Sequence, residues 1–201
     1  MTGRADGEGV VSIIDDDSDL GAALARMLHR QGYDATAFDD PRRFLAEATG
    51  DAPRCVVTDV MMGDLDGFAL ARQVRERLPT AAILFMTAWP QTRDAVEAVR
   101  DLGGLDYLEK PLDQDRTLDA VARGLRWSRK RHAASARLSP LSAREREVFA
   151  LLVLGRTNKL VAAQLDISVK TVEDHRAAIM KKTGSFSLAD LIDIDPARRG
   201  D

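Results

Sequence analysis

Asp15, Asp16, Asp59, Thr87 and Lys110 each stand at or just beyond the end of a short apolar run, in IIDD, VVTD, LFMT and YLEK. An apolar strand has no use for a charge at its end unless something there needs one. Three carboxylates held together repel one another unless a cation bridges them, and an oxygen donor set with room for water suits Mg2+. An aspartate carboxylate is also a nucleophile toward a phosphoryl group, which it carries as an acyl phosphate. A divalent cation and a lysine then neutralise the equatorial phosphoryl oxygens, and a threonine hydroxyl donates to one of them. In this reading one aspartate is the acceptor, Asp15, Asp16 and Asp59 hold Mg2+, Lys110 faces the phosphate, and Thr87 turns the chemical event into a loop shift. Taken singly, each has an ordinary reading: strand-end acids cap helices, and Thr87 serves a turn.

The pattern between these residues must bring them to one edge. Strand-like runs VVSII (10–14), DATAF (34–38), CVVT (55–58), AILFM (82–86) and DYL (106–108) alternate with helical patterns. The helices are expected over 20–31, after Pro41, over 68–77, over 92–102 and from 113. Strands alternating with amphipathic helices specify an α/β fold, a doubly wound five-stranded parallel sheet whose strand ends open on the ligand side. Asp17 and Asp64 read as solvated loop acids, and Asp66-Gly67 as a turn and helix start.

The net charge of −3 hides an asymmetry: residues 1–125 carry net −9 and residues 126–201 net +6. An acidic half fits a cation and phosphate site, and a basic half fits a polyanion such as double-stranded DNA. Between them RWSRKRHAASARLSP loses its apolar residues, gains five basic ones and stops at Pro140, so 126–139 reads as a basic helical linker, either a solvated spacer or a DNA contact. Beyond it the pattern is purely helical. Ser142 with Glu145 forms a capping box opening AREREVFALLVL, which Gly155 ends. A second helix covers 158–165, Ser168 caps VKTVEDHRAAIMKKT up to Gly184, and Ser187 with Asp190 caps a fourth ending near Ile192. Four short helices with a tight DIS connection match a helix-turn-helix unit.

On the third helix Val172, His175 and Ile179 share one face, and Lys170, Glu173, Asp174, Ala177 and Lys181 the other. The second face suits a major groove: Glu173 or Asp174 accepts from cytosine N4, and Ala177 meets a thymine methyl. Lys170, Thr171, Arg176, Lys181 and Lys182 suit phosphates, although Lys181 and Lys182 also complement the helix C-terminus. Asn158 and Lys159 open the second helix, where exposed N–H groups can donate to a backbone phosphate of DNA. His175 is better read as packed than as a base reader.

No apolar segment approaches the roughly 18 residues of a membrane span, and MTGRADGEG has no apolar region resembling a signal peptide. The lone Cys55, read as a small buried hydrophobe, forms no internal disulfide and suits a reducing, cytoplasmic setting. An aspartyl phosphohydrolase usually needs a second acid two residues after its nucleophile, and that position is Met61.

IIDDD, TDVMMGDLDG, MTA and YLEKP together resemble the signature positions of two-component response-regulator receiver domains, over residues 10–125. The resemblance implies a flavodoxin-like receiver over 1–125, with Asp59 as phosphoacceptor, Asp15 and Asp16 as metal-binding acids, Thr87 and Tyr107 as switch residues and Lys110 as the phosphate contact. LSAREREVFALLVLGRTNKLVAAQLDISVKTVEDHRAAIMKK is similar to the LuxR-type helix-turn-helix of the FixJ/NarL family, over about 138–193, implying a small all-α DNA-binding domain at 140–201. Together they imply a transcriptional regulator and not a turnover enzyme, although it accepts a phosphoryl group and acts in its own phosphorylation and dephosphorylation. A sensor histidine kinase would phosphorylate Asp59, promoting a homodimer, with residues 92–110 as its contact, and promoter binding, with RNA polymerase as a further partner. The alternative is a receiver that is never phosphorylated and serves only as a protein-docking module. Gly63 stands where the family usually has proline, which loosens the loop after Asp59. The bulk of Trp89, just beyond Ala88, is expected to slow access to an acyl phosphate.

Overall fold

β-branched and aromatic residues fill five short segments, and the computed structural model, which describes residues 9–49, 52, 54–88 and 103–195, pairs them all in one parallel sheet. The strands are β1 (Val10–Ile14), β2 (Asp34–Phe38), β3 (Arg54–Asp59), β4 (Ala82–Thr87) and β5 (Asp106–Glu109), in the order β2-β1-β3-β4-β5. Among the described residues, three helices fall between them: α1 (Ser18–Arg30), α2 (Pro41–Glu47) and α3 (Gly67–Arg77). The helix expected over 92–102 lies outside the described residues. Because the strand order reverses between β1 and β3, the crossovers after them leave on opposite faces and open a crevice at their carboxyl ends.

Both faces of the sheet are covered, which is why β3 and β4 are buried along nearly their whole length. One face carries Val11, Ile13, Cys55, Val57, Leu84 and Met86, packed with Leu24 and Leu28 of α1 and Ala120, Val121 and Leu125 of the helix that follows β5. The other carries Ile14, Val56, Ile83 and Phe85, with Phe44 of α2 and Leu70 and Val74 of α3. Each large side chain buried this way contributes about 1.5–3 kcal/mol.

Local chemistry sets the helix starts. Asp17, expected as a solvated loop acid, instead caps α1, accepting the N–H groups of Asp19 and Leu20 at 3.1 Å each. Asp40 accepts the Arg42 N–H ahead of Pro41, and Asp66 accepts the Ala69 N–H at 2.7 Å. Such caps are worth about 1 kcal/mol apiece. Asp64 stays exposed, 3.6 Å from Arg42.

After β5 the chain forms α4 (Gln114–Leu138), then α5 (Ala143–Val153), α6 (Asn158–Leu165), α7 (Val169–Thr183) and α8 (Leu188–Asp193). The fold separates into two compact units, Met1–Lys130 and Arg131–Asp201, with the division inside α4. In the second unit Leu141, Val148, Phe149, Leu152, Val161, Val172, Ile179 and Leu191 form one core, against which Ala134 and Leu138 of α4 pack. Ser142–Glu145 and Ser187–Asp190 are both complete capping boxes, and Gly184 ends α7 at φ 63°, a left-handed conformation that costs glycine least.

In the first unit α4 sits unusually close to the sheet. Ser128, fully buried, accepts the Arg54 N–H at 2.9 Å and donates to the Thr80 carbonyl at 2.7 Å. A Cβ on Gly124 would lie 2.8 Å from Cys55 Sγ and 3.3 Å from Ala82 Cβ. Gly124→Ala is therefore expected to destabilise the first unit by about 1–3 kcal/mol in denaturant melts, through overpacking. Adding Cys55→Ala should return part of that loss, because the two positions share one volume.

Candidate functional site

The switch point gathers the acids. Asp59 is the last residue of β3, and Asp15 immediately follows β1, its N–H held by the Phe38 carbonyl at 3.1 Å. Asp15 and Asp59 are buried, Asp16 is exposed, and one oxygen of each of the three carboxylates lies within 4.8 Å of the others. Lys110 reaches back from the end of β5 and bridges two of them, its Nζ 2.8 Å from Asp15 Oδ2 and 2.9 Å from Asp59 Oδ2. The Lys110–Pro111 bond is cis.

Backbone hydrogen bonds align the strand ends that carry these groups. The Val60 N–H donates to the Met86 carbonyl at 2.9 Å, and the Lys110 N–H to the Thr87 carbonyl at 2.7 Å. Thr87, buried, ends β4 opposite Glu109. Tyr107 lies in β5, half-buried, its ring 6.5 Å from that of Phe85, which in turn faces Phe68 at 5.2 Å. Gly63 is exposed with open space around it, and Trp89 lies outside the described residues.

Electrostatics follow from burial. Burial pushes the Asp15 carboxyl above its ordinary value, and the hydrogen bonds from Lys110 and the Asp17 N–H pull it only partly back. For Lys110 burial works toward neutrality, but the bonds to Asp15 and Asp59 outweigh it and hold the ammonium above its usual range. With all three acids ionised and one lysine beside them, the site keeps two excess negative charges. An all-oxygen set carrying that charge fits a hard divalent cation.

One residue in this arrangement was legible in the sequence as part of a turn and helix start, but not as a close backbone contact. Gly67, the first residue of α3, donates its N–H to the Val60 carbonyl at 3.0 Å, and a Cβ there would fall 2.2 Å from the Asp59 carbonyl oxygen. Asp66-Gly67 is thus a helix cap fused to a close backbone approach, and the available signal was a glycine directly after a capping acid. Gly67→Ala must displace the Asp59 backbone. If Asp59 is the phosphoacceptor that the receiver resemblance implies, this substitution is expected to slow its acquisition of phosphate from a small donor roughly tenfold or more, followed by intact mass, since small misplacements of reacting groups are that costly. An unchanged rate would exclude this role.

The second unit presents a separate set. On α7, Val172, Ile179 and Thr183 are buried, whereas Lys170, Glu173, Asp174, Ala177, Lys181 and Lys182 are exposed and Thr171, His175 and Arg176 are half-buried. Lys170 pairs with Asp174 at 3.0 Å on the open surface, an arrangement worth little. The Thr171 hydroxyl meets Ser168 Oγ at 2.8 Å beside the N-cap. Lys182, read from sequence as a phosphate contact or a helix-end charge, is committed within the protein, with its ammonium 2.7 Å from the buried Glu145 carboxylate. That hydrogen bond, with the Ser142 N–H, pulls Glu145 down to about 2. Asn158 and Lys159 open α6 behind the Thr157 cap.

Residues 11–122 match the response regulator receiver domain family, and residues 139–194 match the luxR family of bacterial regulatory proteins. The transcriptional regulatory protein FixJ of Bradyrhizobium diazoefficiens is 37% identical over 192 residues, covering 92% of this chain and 93% of that protein. The response regulator protein TodT of Pseudomonas putida is 30% identical, covering 94% and 86%. Among solved structures, full-length FixJ from B. japonicum aligns with a TM-score of 0.54 at 35% identity, over 94% of this chain and 96% of that one. The response regulator StyR aligns with a TM-score of 0.59 at 29% identity, over 94% and 98%. A parallel sheet with an acidic crevice, followed by a helix-turn-helix core and matched over nearly its whole length, makes this chain a member of the transcriptional response regulators that join a receiver domain to a LuxR-type DNA-binding domain.

Proposed function

We propose that a sensor histidine kinase phosphorylates this regulator on Asp59. The observation that carries the reading is the Lys110 ammonium shared between Asp15 and Asp59, with a third carboxylate in reach of both. A carboxylate oxygen of Asp59 attacks phosphorus in line, the P–O bond forms as the P–N bond to the kinase histidine breaks, and the imidazole nitrogen recovers its electron pair. Asp15, Asp16 and Asp59 are suited to hold Mg2+, which when bound supplies charge neutralisation to the phosphoryl oxygens. Lys110 turns from the carboxylates toward the new oxygens, and the Thr87 hydroxyl donates to one of them. Tyr107 follows Thr87 inward, changing the surface around β5.

The changed surface pairs two copies, with residues 92–110 as the contact, and the pair binds a two-fold promoter site in the cytoplasm, where RNA polymerase is a further partner. Residues 92–102 of that contact lie outside the described residues, and no described helix is long and apolar enough to cross a membrane. On DNA, the exposed Glu173, Asp174 and Ala177 read base edges, while Lys170, Thr171, Arg176 and Lys181, with Asn158 and Lys159, meet phosphates. Lys182 is assigned to Glu145 first and to phosphate only with its remaining donors. The receiver also acts in its own phosphorylation from small donors and in its own dephosphorylation.

Incubation with Mg2+ and a small phosphodonor is expected to add one labile phosphoryl group to the native protein and none to Asp59→Asn, with a shift to dimer. No adduct, with donor or with histidine kinases, would favour the receiver as a docking module. Lys181→Ala is expected to weaken all duplexes about equally and lower the salt slope by about 0.9, whereas Asp174→Ala changes sequence preference. A preference change from Lys181→Ala with unchanged overall affinity would reverse the assignment of faces.

A further inference from the structure

The C-terminal turn of α7 is held by side chains from outside the helix-turn-helix pair. Arg137, in the last turn of α4, donates from Nε to the Thr183 carbonyl at 2.9 Å and from its terminal nitrogen to Ser185 Oγ at 3.1 Å. Both acceptors belong to buried residues, and the Thr183 hydroxyl lies 2.8 Å from the Ile179 carbonyl and 2.9 Å from Ser185 Oγ. A helix end leaves its last carbonyls without partners, and a cationic fork at that end satisfies one while complementing the helix dipole. On the adjacent side Lys182 is tied to Glu145. The companion helix is treated alike: Arg144 donates to the Leu165 carbonyl that ends α6, at 2.7 Å. Arg146 fixes the turn after α4, donating to the carbonyls of Leu141 at 3.0 Å and Ser139 at 3.1 Å.

We propose that Arg137 is a positioning residue for DNA recognition, and that the last turns of α4 are part of the DNA-reading unit and not a spacer or a phosphate contact. The proposal rests on the assignment of α7 as the recognition helix. The geometry of the guanidinium matters beyond its charge: a planar fork spans the Thr183 carbonyl and Ser185 Oγ together, whereas a lysine ammonium is a point donor. A half-buried Arg137 whose fork is spent on two internal acceptors does its work away from the DNA backbone. What depends on it is the angle at which the exposed face of α7 enters a groove.

The test compares full-length native protein with Arg137→Ala, Arg137→Lys and Ser185→Ala. The probe is a duplex pool enriched from random sequence on the native protein, titrated at several salt concentrations. Amide exchange over residues 181–185 is followed in parallel. Arg137→Ala and Arg137→Lys should both weaken binding about tenfold, the scale of a lost charge-assisted hydrogen bond, with the native salt slope and faster exchange at the end of α7. Ser185→Ala should give a smaller loss that disappears in the Arg137→Ala background, since both act through one contact. Native-like binding by Arg137→Lys, with a slope reduced by about 0.9 in Arg137→Ala alone, would make Arg137 a phosphate contact and overturn the proposal. Unchanged binding and exchange in both variants would overturn it as well. If the native protein enriched no duplex, the assignment of α7 to DNA would fail instead, and exchange over 181–185 would still decide whether Arg137 clamps the helix.

Discussion

Three carboxylates converge at the switch point of the sheet, and the first unit is organised around the cost of keeping them there. Asp15 and Asp59 are buried close to one another, and the Lys110 ammonium between them offsets part of their repulsion. Burial still raises Asp15, so a positive charge in the crevice is favoured beyond what Lys110 supplies. The backbone hydrogen bonds at the ends of β3, β4 and β5, and the tight seat of Gly67 under Asp59, keep the acids from drifting apart to relieve that repulsion. Acids held together by the backbone in this way form an oxygen donor set that fits a hard divalent cation without further organisation.

The second unit solves a different problem. A helix whose outer face is exposed keeps few core contacts there, so its ends carry much of its definition. α7 is capped by Ser168 at its start and closed by Gly184, with Arg137 and the Glu145–Lys182 pair holding its final turn. Glu145 does double duty, completing the capping box that starts α5 while receiving Lys182 from α7. Short-range capping and long-range tethering thus meet on one carboxylate, and the buried face of Val172, Ile179 and Thr183 supplies the rest.

Periodicity and capping carried most of the element plan. β1 and β2 fall on the expected residues, and α6 and α7 run over the spans that their caps and glycines delimit, because these signals act over a turn or two of chain. Where a side chain has two local uses, the pattern was ambiguous: Asp17 looked like a loop acid and proved to be a cap, so α1 starts two residues earlier than expected, whereas α3, behind the Asp66 cap, starts only one residue earlier. The basic run in the second half of α4 left a spacer and a DNA contact both open for a related reason, since charge and helicity look the same in either.

The amino-acid sequence by itself determined the strand-helix alternation, the helix-turn-helix and the identity of the acids, threonine and lysine at the strand ends, because each follows from residue type at a fixed short spacing. Only the tertiary structure decided what those groups meet. Lys110 finds Asp15 across 95 residues of sequence, Lys182 finds Glu145 across 37, and Arg137 finds Ser185 across 48. The close approaches at Gly67 and Gly124 are likewise set by which backbone or side chain arrives opposite them. Such partners are chosen by strand order and helix packing, which arise from burying apolar surface over the whole unit and are not set by spacing along the chain.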